Sequence, residues 1–267
     1  MKEAKLISSI QNPLVKKILL LKEKSRERKK TGLFVVEGKR EIELAQKGSF
    51  TLKTILFCPE ILKDFALNPL IQNSKIEVIE ISRPVYEKIA HRETTEGILA
   101  IVKSKEHGLE KILFKNDYPL VLVAEAPEKP GNIGALLRTA DAAAVDAVFI
   151  ANPKSDIYSP NIIRSSVGCV FTNQIGMGAT EDIIDFLKEK EIKIYCAALT
   201  ASKNYVECNF KGGIAIVVGT EASGLTDTWL QSSDQNLIIP MQGEIDSMNV
   251  SVSAAILIFE AKRQRGY

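Results

Sequence analysis

Histidine is nearly absent, with two in 267 residues, and cysteine is scarce, with four. Cys58, Cys169, Cys196 and Cys208 form no C-x-x-C pair, and only His91 and His107 could join them as imidazole ligands. These counts argue against a zinc site and against a disulfide framework, and fit a reducing cytoplasm. No metal is expected. Neither G-x-G-x-x-G nor G-x-x-x-x-G-K-[ST] occurs, which disfavours a nicotinamide dehydrogenase or an ordinary nucleoside triphosphatase. The opening MKEAKLISSIQNP lacks the apolar core of a signal peptide. No apolar run is long enough to span a bilayer, and no repeat or low-complexity tract is visible. The expectation is a cytoplasmic protein with no membrane partner.

What is present is ordinary in bulk: 45% hydrophobic, 25% charged, and a length suited to one or two domains. The formal net charge is only +2, but its distribution is uneven. Lys16, Lys17, Lys22, Lys24, Arg26, Arg28, Lys29 and Lys30 crowd one segment, opposed only by Glu23 and Glu27. Such a block suits a solvated helix face and a phosphate backbone about equally.

Asn12-Pro13 predicts a helix start, and the helix then runs through the basic block to Gly32. Leu33 to Val36 reads as a strand, followed by a helix opened by Glu37-Gly38-Lys39-Arg40. Leu52 to Phe57 is a strand, Glu60 to Leu67 a helix, Ile76 to Ile81 a strand. A helix follows from Pro84, then the strand Gly97 to Val102. This alternation predicts a small α/β domain over residues 1–103. Residues 104–117 read as a charged linker with one short helix. A second domain, 118–267, has strands at Pro119 to Ala124, Ala147 to Ile150, Cys169 to Thr172, Ile192 to Leu199, Ile214 to Val218 and Leu237 to Ile239. Helices are expected from Asn132, over Asn161 to Ser166, Glu181 to Lys190 and Leu225 to Leu230, and from Val250. The strands are continuous apolar runs, which predicts a parallel sheet covered on both faces.

Three of these strands lead into loops of special composition. One carries Gly131-Asn132-Ile133-Gly134 with Arg138-Thr139 two helical turns on. One is Gly219 to Leu225 (GTEASGL), and the last runs from Pro240 to Asn249. In a parallel sheet such loops converge where α/β proteins place ligands. Taken singly, each residue has a plain explanation: Asn132 as a helix cap, Arg138 as a partner of Asp141, Glu221 as a surface charge, Ser247 and Asn249 as caps of the last helix.

Taken together, the stretches resemble the motifs of the SpoU/TrmH-like branch of the SPOUT superfamily, RNA ribose 2′-O-methyltransferases. The pattern N-x-G-x-x-x-R-T-A is met by Asn132, Gly134, Arg138, Thr139 and Ala140. G-x-E-x-x-G-L is met by Gly219, Glu221, Gly224 and Leu225. I-P-M-x-G-x-x-x-S-L-N-V-S is met from Ile239 to Ser251, with Met248 in place of Leu. More weakly, FVVEGKREIELA (Phe34 to Ala45) and EGILAIV (Glu96 to Val102) resemble the family's substrate-binding domain. The resemblance implies a trefoil knot in the second domain and a homodimer. It implies S-adenosylmethionine held by Leu199, Thr200, Gly219, Ile239, Met241 and Met248. It gives Arg138 the catalytic role, as base or as phosphate clamp, with Asn132, Glu221, Ser247 and Asn249 positioning the reactants. The implied partner is structured RNA, with large-subunit ribosomal RNA preferred over transfer RNA; a non-catalytic RNA-binding protein on the same fold is the alternative class. Lys16, Lys17, Arg26, Arg28, Lys29, Lys30, Lys39, Arg40 and Arg92, with His91, are the candidate RNA contacts.

Overall fold

A computed structural model describes residues 5–62, 76–90, 96–199, 202–220 and 223–266. The described chain divides into two compact units. One comprises residues 1–106 with 156–172, the other 107–155 with 173–267.

The described residues begin with β1 (Lys5–Ile7) and α1 (Pro13–Glu23). Asn12 caps α1 by accepting from Leu14 N–H, and Pro13 occupies the first turn, where a missing donor costs nothing. The basic block is two helices, not one. Lys24 adopts an extended conformation, and α2 (Ser25–Thr31) restarts after it and ends on left-handed Gly32. Next come β2 (Leu33–Glu37), α3 (Lys39–Lys47), β3 (Leu52–Phe57), β4 (Glu77–Ile81), α4 (Arg83–Ile89) and β5 (Ile98–Lys103). Most of the expected Glu60 to Leu67 helix lies outside the described residues. The sheet order is β1-β4-β3-β5-β2, with β5 antiparallel to both neighbours and the other pairs parallel.

The linker holds a single 3-10 turn, Leu109–Lys111. The second unit then builds β6 (Leu120–Glu125), α5 (Pro130–Ala142) and β7 (Ala147–Ala151). From there the chain makes an excursion into the first unit, carrying α6 (Pro160–Ser165). Within that unit Tyr158 stacks on Phe34 at 4.3 Å between centroids, and Phe171 meets Phe50 at 5.1 Å. The expected strand at Cys169 to Thr172 is a series of turns. Its apolar residues are buried, Phe171 within this cluster, and burial without alternation is what made it read as a strand.

The chain continues with β8 (Ile175–Gly178), α7 (Thr180–Glu189), β9 (Lys193–Ala197), β10 (Lys203–Asn204), β11 (Ile214–Val218), α8 (Asp227–Ser232), β12 (Gln235–Ile238) and α9 (Val250–Arg265). The sheet order is β10-β12-β9-β11-β6-β7-β8, and every described pair is parallel. All five residues of β7 and of β11 are buried, as a sheet covered on both faces requires. One core of this unit combines Val121, Val123, Phe149, Ile194, Val217 and Trp229 with Ile183, Ile184 and Leu187 of α7. Among the described residues no helix is long and apolar enough to cross a membrane.

Candidate active site

Parallel strands send all their C-terminal ends to one edge. Since β12, β9, β11 and β6 are consecutive neighbours, the segments that follow them emerge side by side. These are the segments that carry the three motifs.

The loop after β11 is pinned by its own backbone. Thr220 N–H donates to Gly224 O at 2.9 Å, and Gly224 N–H donates to Thr220 O at 3.1 Å. The Thr220 and Ser223 hydroxyls lie 2.8 Å apart. A Cβ placed on Gly219 would sit 2.2 Å from the Gly224 carbonyl carbon, so only glycine lets the two backbone segments approach so closely. Beyond the turn, Thr226 donates through N–H (2.9 Å) and hydroxyl (2.8 Å) to the carboxylate of Glu125. Glu125 ends β6 and is 3% exposed. Sequence reading missed it, because a lone Glu at the end of an apolar strand carries no local signal. Nearby burial pushes the Cys196 thiol up to about 12, so it stays protonated as core.

Asn249 caps α9: its Oδ1 accepts from Ser251 N–H at 2.9 Å, and its Nδ2 donates to Asn132 Oδ1 at 3.2 Å. The first and third motifs therefore meet through two amide side chains. Asn132 does not cap its helix, as the sequence led us to expect. Pro130 opens α5 two residues earlier, so Asn132 sits inside the first turn with its side chain available to Asn249. A cleft of about 480 Å3 at this edge is lined by Asn132, Leu136, Gly219, Thr220, Ser223 and Val250, among others. Lys129 and Lys154 also line it; Lys154 pairs with Glu128 at 2.6 Å and holds that carboxyl below the usual range.

Arg138 lies two turns along α5 from Asn132. It is exposed, is not among the cleft-lining residues, and has no ion-pair partner among the described residues; the pairing with Asp141 is not formed. Ser247 is exposed and donates to Asp246 at 3.0 Å. Leu199 is exposed, while Ile239, Met241 and Met248 are half-buried along the segments after β9 and β12. Thr200 and Glu221 lie outside the described residues. Among those described, no group of three His, Cys, Asp or Glu residues could hold a metal ion.

Of the RNA candidates, Lys16, Lys17, Arg26, Lys29, Lys30, Lys39 and Arg40 are exposed, whereas His91 and Arg92 lie outside the described residues. Arg28 is a correction. It is 7% exposed, its Nε donates to Asp156 at 2.7 Å, and its Nη1 donates to the carbonyls of Leu21 (2.7 Å) and Lys22 (3.1 Å). Its charge is buried and neutralised, so it does not face a phosphate. Lys22 is similarly turned inward, onto Glu37 and the Ile89 carbonyl, and burial lowers its pKa.

Comparison with known proteins follows the same division. The sequence profile described as the SpoU rRNA Methylase family matches residues 119–259, and that of an MRM3-like substrate binding domain matches residues 12–100. The chain is 32% identical to the 23S rRNA (guanosine(2553)-2'-O)-methyltransferase RlmP of Bacillus subtilis, over 97% of this chain and 99% of that protein. Among solved structures, an RNA 2'-O ribose methyltransferase is similar at 36% identity and a TM-score of 0.83, covering 98% of this chain and all of that one. An AdoMet-bound rRNA methyltransferase from Sinorhizobium meliloti is similar at 25% identity and a TM-score of 0.88, covering 97% and 98%.

Proposed function

The chain belongs to the SpoU rRNA methylase family, and we propose from that premise that it transfers a methyl group from S-adenosylmethionine to a ribose 2′-hydroxyl of 23S ribosomal RNA. The observation that carries this reading is the likeness to RlmP along the whole chain, with the three motifs assembled at one edge of a parallel sheet. A solved structure whose title concerns 2-OH methylation of tRNA is similar over only 56% of this chain.

The residues present fit the cofactor. The segments after β9, β11 and β12 emerge together, and the described residues after β12 leave helix and strand, with Ile239, Met241 and Met248 half-buried along them. With Leu199, Thr200 and Gly219 these would hold S-adenosylmethionine, whose sulfonium supplies an electrophilic methyl group. A deep trefoil knot in this region is part of the proposal, supported by β12 and β9 lying adjacent in the sheet.

The protein's task is then alignment of a ribose hydroxyl with that methyl group. Asn132 and Asn249 brace each other at the N-terminal turns of two helices, which fixes both amides relative to the cleft. An arginine guanidinium is in general a poor base. Exposed and without an ion-pair partner among the described residues, Arg138 suits a clamp on the target phosphate or on a developing alkoxide better than a base. Glu221 and Ser247 would complete the positioning. RNA would be held by the exposed lysines and arginines of α1, α2 and α3, sequence-independently, through phosphate.

A homodimer belongs to the same reading. α9 buries Ala254, Leu257, Ile258 and Ala261 on one side, while Val252 and Phe259 stand exposed seven residues apart on another. A helix apolar on more than one face calls for a cover on each.

The test is Arg138→Ala in the full chain. The variant is expected to fold and to bind S-adenosylmethionine as the wild type does, while methyl transfer falls at least a hundredfold. Near-normal transfer by the folded variant would remove Arg138 from the mechanism.

A further inference from the structure

Glu125 is a buried carboxylate that none of the three motifs contains. Its position is unusual in chemistry as well as burial: it is the last residue of β6, the strand next to β11, and it lies at the edge where the motif loops emerge. Both its oxygens accept from one residue, Oε2 from Thr226 N–H and Oε1 from the Thr226 hydroxyl. Thr226 stands at the N-cap of α8, where a threonine hydroxyl ordinarily accepts from the helix's own amides; here it makes no such bond. The hydroxyl is committed to Glu125 instead. The described residues on both sides of the turn after β11 are thus held. At its start, Gly219 is packed against the Gly224 backbone; at its finish, Thr226 is tied to the neighbouring strand.

We propose that Glu125 is a positioning residue for methyl transfer, holding Thr226, and through it the Ser223–Thr226 end of the segment after β11, where it receives the cofactor. The inference rests on the reading that this loop binds S-adenosylmethionine. A buried carboxylate bound twice by one residue is a stiff anchor, because each bond is charge-assisted and the two fix both oxygens at once. Releasing it leaves the backbone of Thr226 without its acceptor and frees the loop's far end. The effect belongs to cofactor binding, not to RNA binding, since the exposed basic residues proposed for RNA lie in the other unit.

The experiment uses the full chain with Glu125→Ala, Thr226→Val, the double variant and Glu125→Gln. S-adenosylmethionine affinity is measured by calorimetry, RNA affinity by filter binding, and kcat and KM for both substrates by methyl transfer. Glu125→Ala should weaken S-adenosylmethionine binding roughly tenfold or more, as loss of charge-assisted bonds does, with RNA affinity unchanged. Thr226→Val, at an exposed position that tolerates the change, should weaken it severalfold. The double variant should be no worse than Glu125→Ala by more than about twofold, because both changes break one link. Glu125→Gln should recover most of the loss, since its carboxamide can accept from the Thr226 amide and donate to the hydroxyl. Should Glu125→Ala fold poorly, Thr226→Val and Glu125→Gln carry the test alone. Unchanged cofactor affinity in folded Glu125→Ala or Thr226→Val would overturn the inference, as would losses in cofactor and RNA binding that merely track a lower melting temperature. A wild type that binds RNA but no S-adenosylmethionine would instead overturn the parent reading and, with it, this one.

Discussion

Replacing Arg28 by alanine separates structural charge from RNA-binding charge within one short helix. Arg28 and Asp156 form a 2.7 Å ion pair with side chains 7% and 12% exposed, and the guanidinium also satisfies two carbonyls. Truncation leaves the Asp156 carboxylate buried without its cation, and two carbonyls without their donor. Breaking one side of a buried pair typically costs about 3–5 kcal/mol. For a unit of this size that lowers the melting temperature by roughly 10 °C or more. Thermal unfolding followed by circular dichroism reads the loss. Salt titration of RNA binding reads the other possibility, because each lost phosphate contact reduces the slope of log K against log salt by about 0.7–0.9. Arg28→Ala should lower stability and, below its melting temperature, leave that slope intact. The exposed neighbours Lys29 and Lys30, changed together to alanine, should do the reverse. A melting temperature within about 2 °C of wild type together with a reduced slope would show that Arg28 reaches RNA and that the buried pair is inconsequential.

Three further outcomes follow from the geometry. Gly219→Ala forces a Cβ to 2.2 Å from the Gly224 backbone, so the loop must shift; calorimetry should show S-adenosylmethionine binding weakened tenfold or more, and unchanged affinity would exclude this loop from the cofactor site. Asn249→Ser keeps a good cap for α9 but cannot reach Asn132, so melting should move by no more than about 2 °C while kcat/KM drops at least tenfold; full activity would make the Asn132–Asn249 bond incidental. Phe259→Glu puts a charge on the exposed apolar face of α9, and sedimentation should show dimer converting to monomer without unfolding; a monomeric wild type would refute the dimer.

Much of this architecture is legible in the residues. β6, β7, β9 and β11 read as buried parallel strands because each is a short apolar run, and Asn12-Pro13 and Gly32 mark real helix limits. β8 escaped notice because IGMG is half glycine and offers neither alternation nor a long apolar run. The turns around Phe171 passed for a strand because apolar residues look alike whether they fill a sheet or an aromatic cluster. In the site, composition pointed to Asn132, Gly219 and Asn249, yet not to how they are used. Asn132 has the sequence appearance of a cap, and only the position of Pro130 relative to Asn249 shows otherwise. Partners distant in sequence were the hardest to foresee. Arg28 meets Asp156 across 128 positions, and Glu125 meets Thr226 across 101. No local pattern encodes either pairing, so a buried arginine read as a surface one and a buried glutamate went unseen.

The central claim is tested most directly by incubating the wild-type chain with labelled S-adenosylmethionine and unmodified large-subunit ribosomal RNA, then digesting to nucleosides for mass spectrometry. Label is expected in 23S RNA as a ribose 2′-O-methyl at a discrete site, and none with Arg138→Ala. Label on a base, label confined to transfer RNA, or no label in naked RNA or ribosomal particles from a protein that binds the cofactor would contradict it.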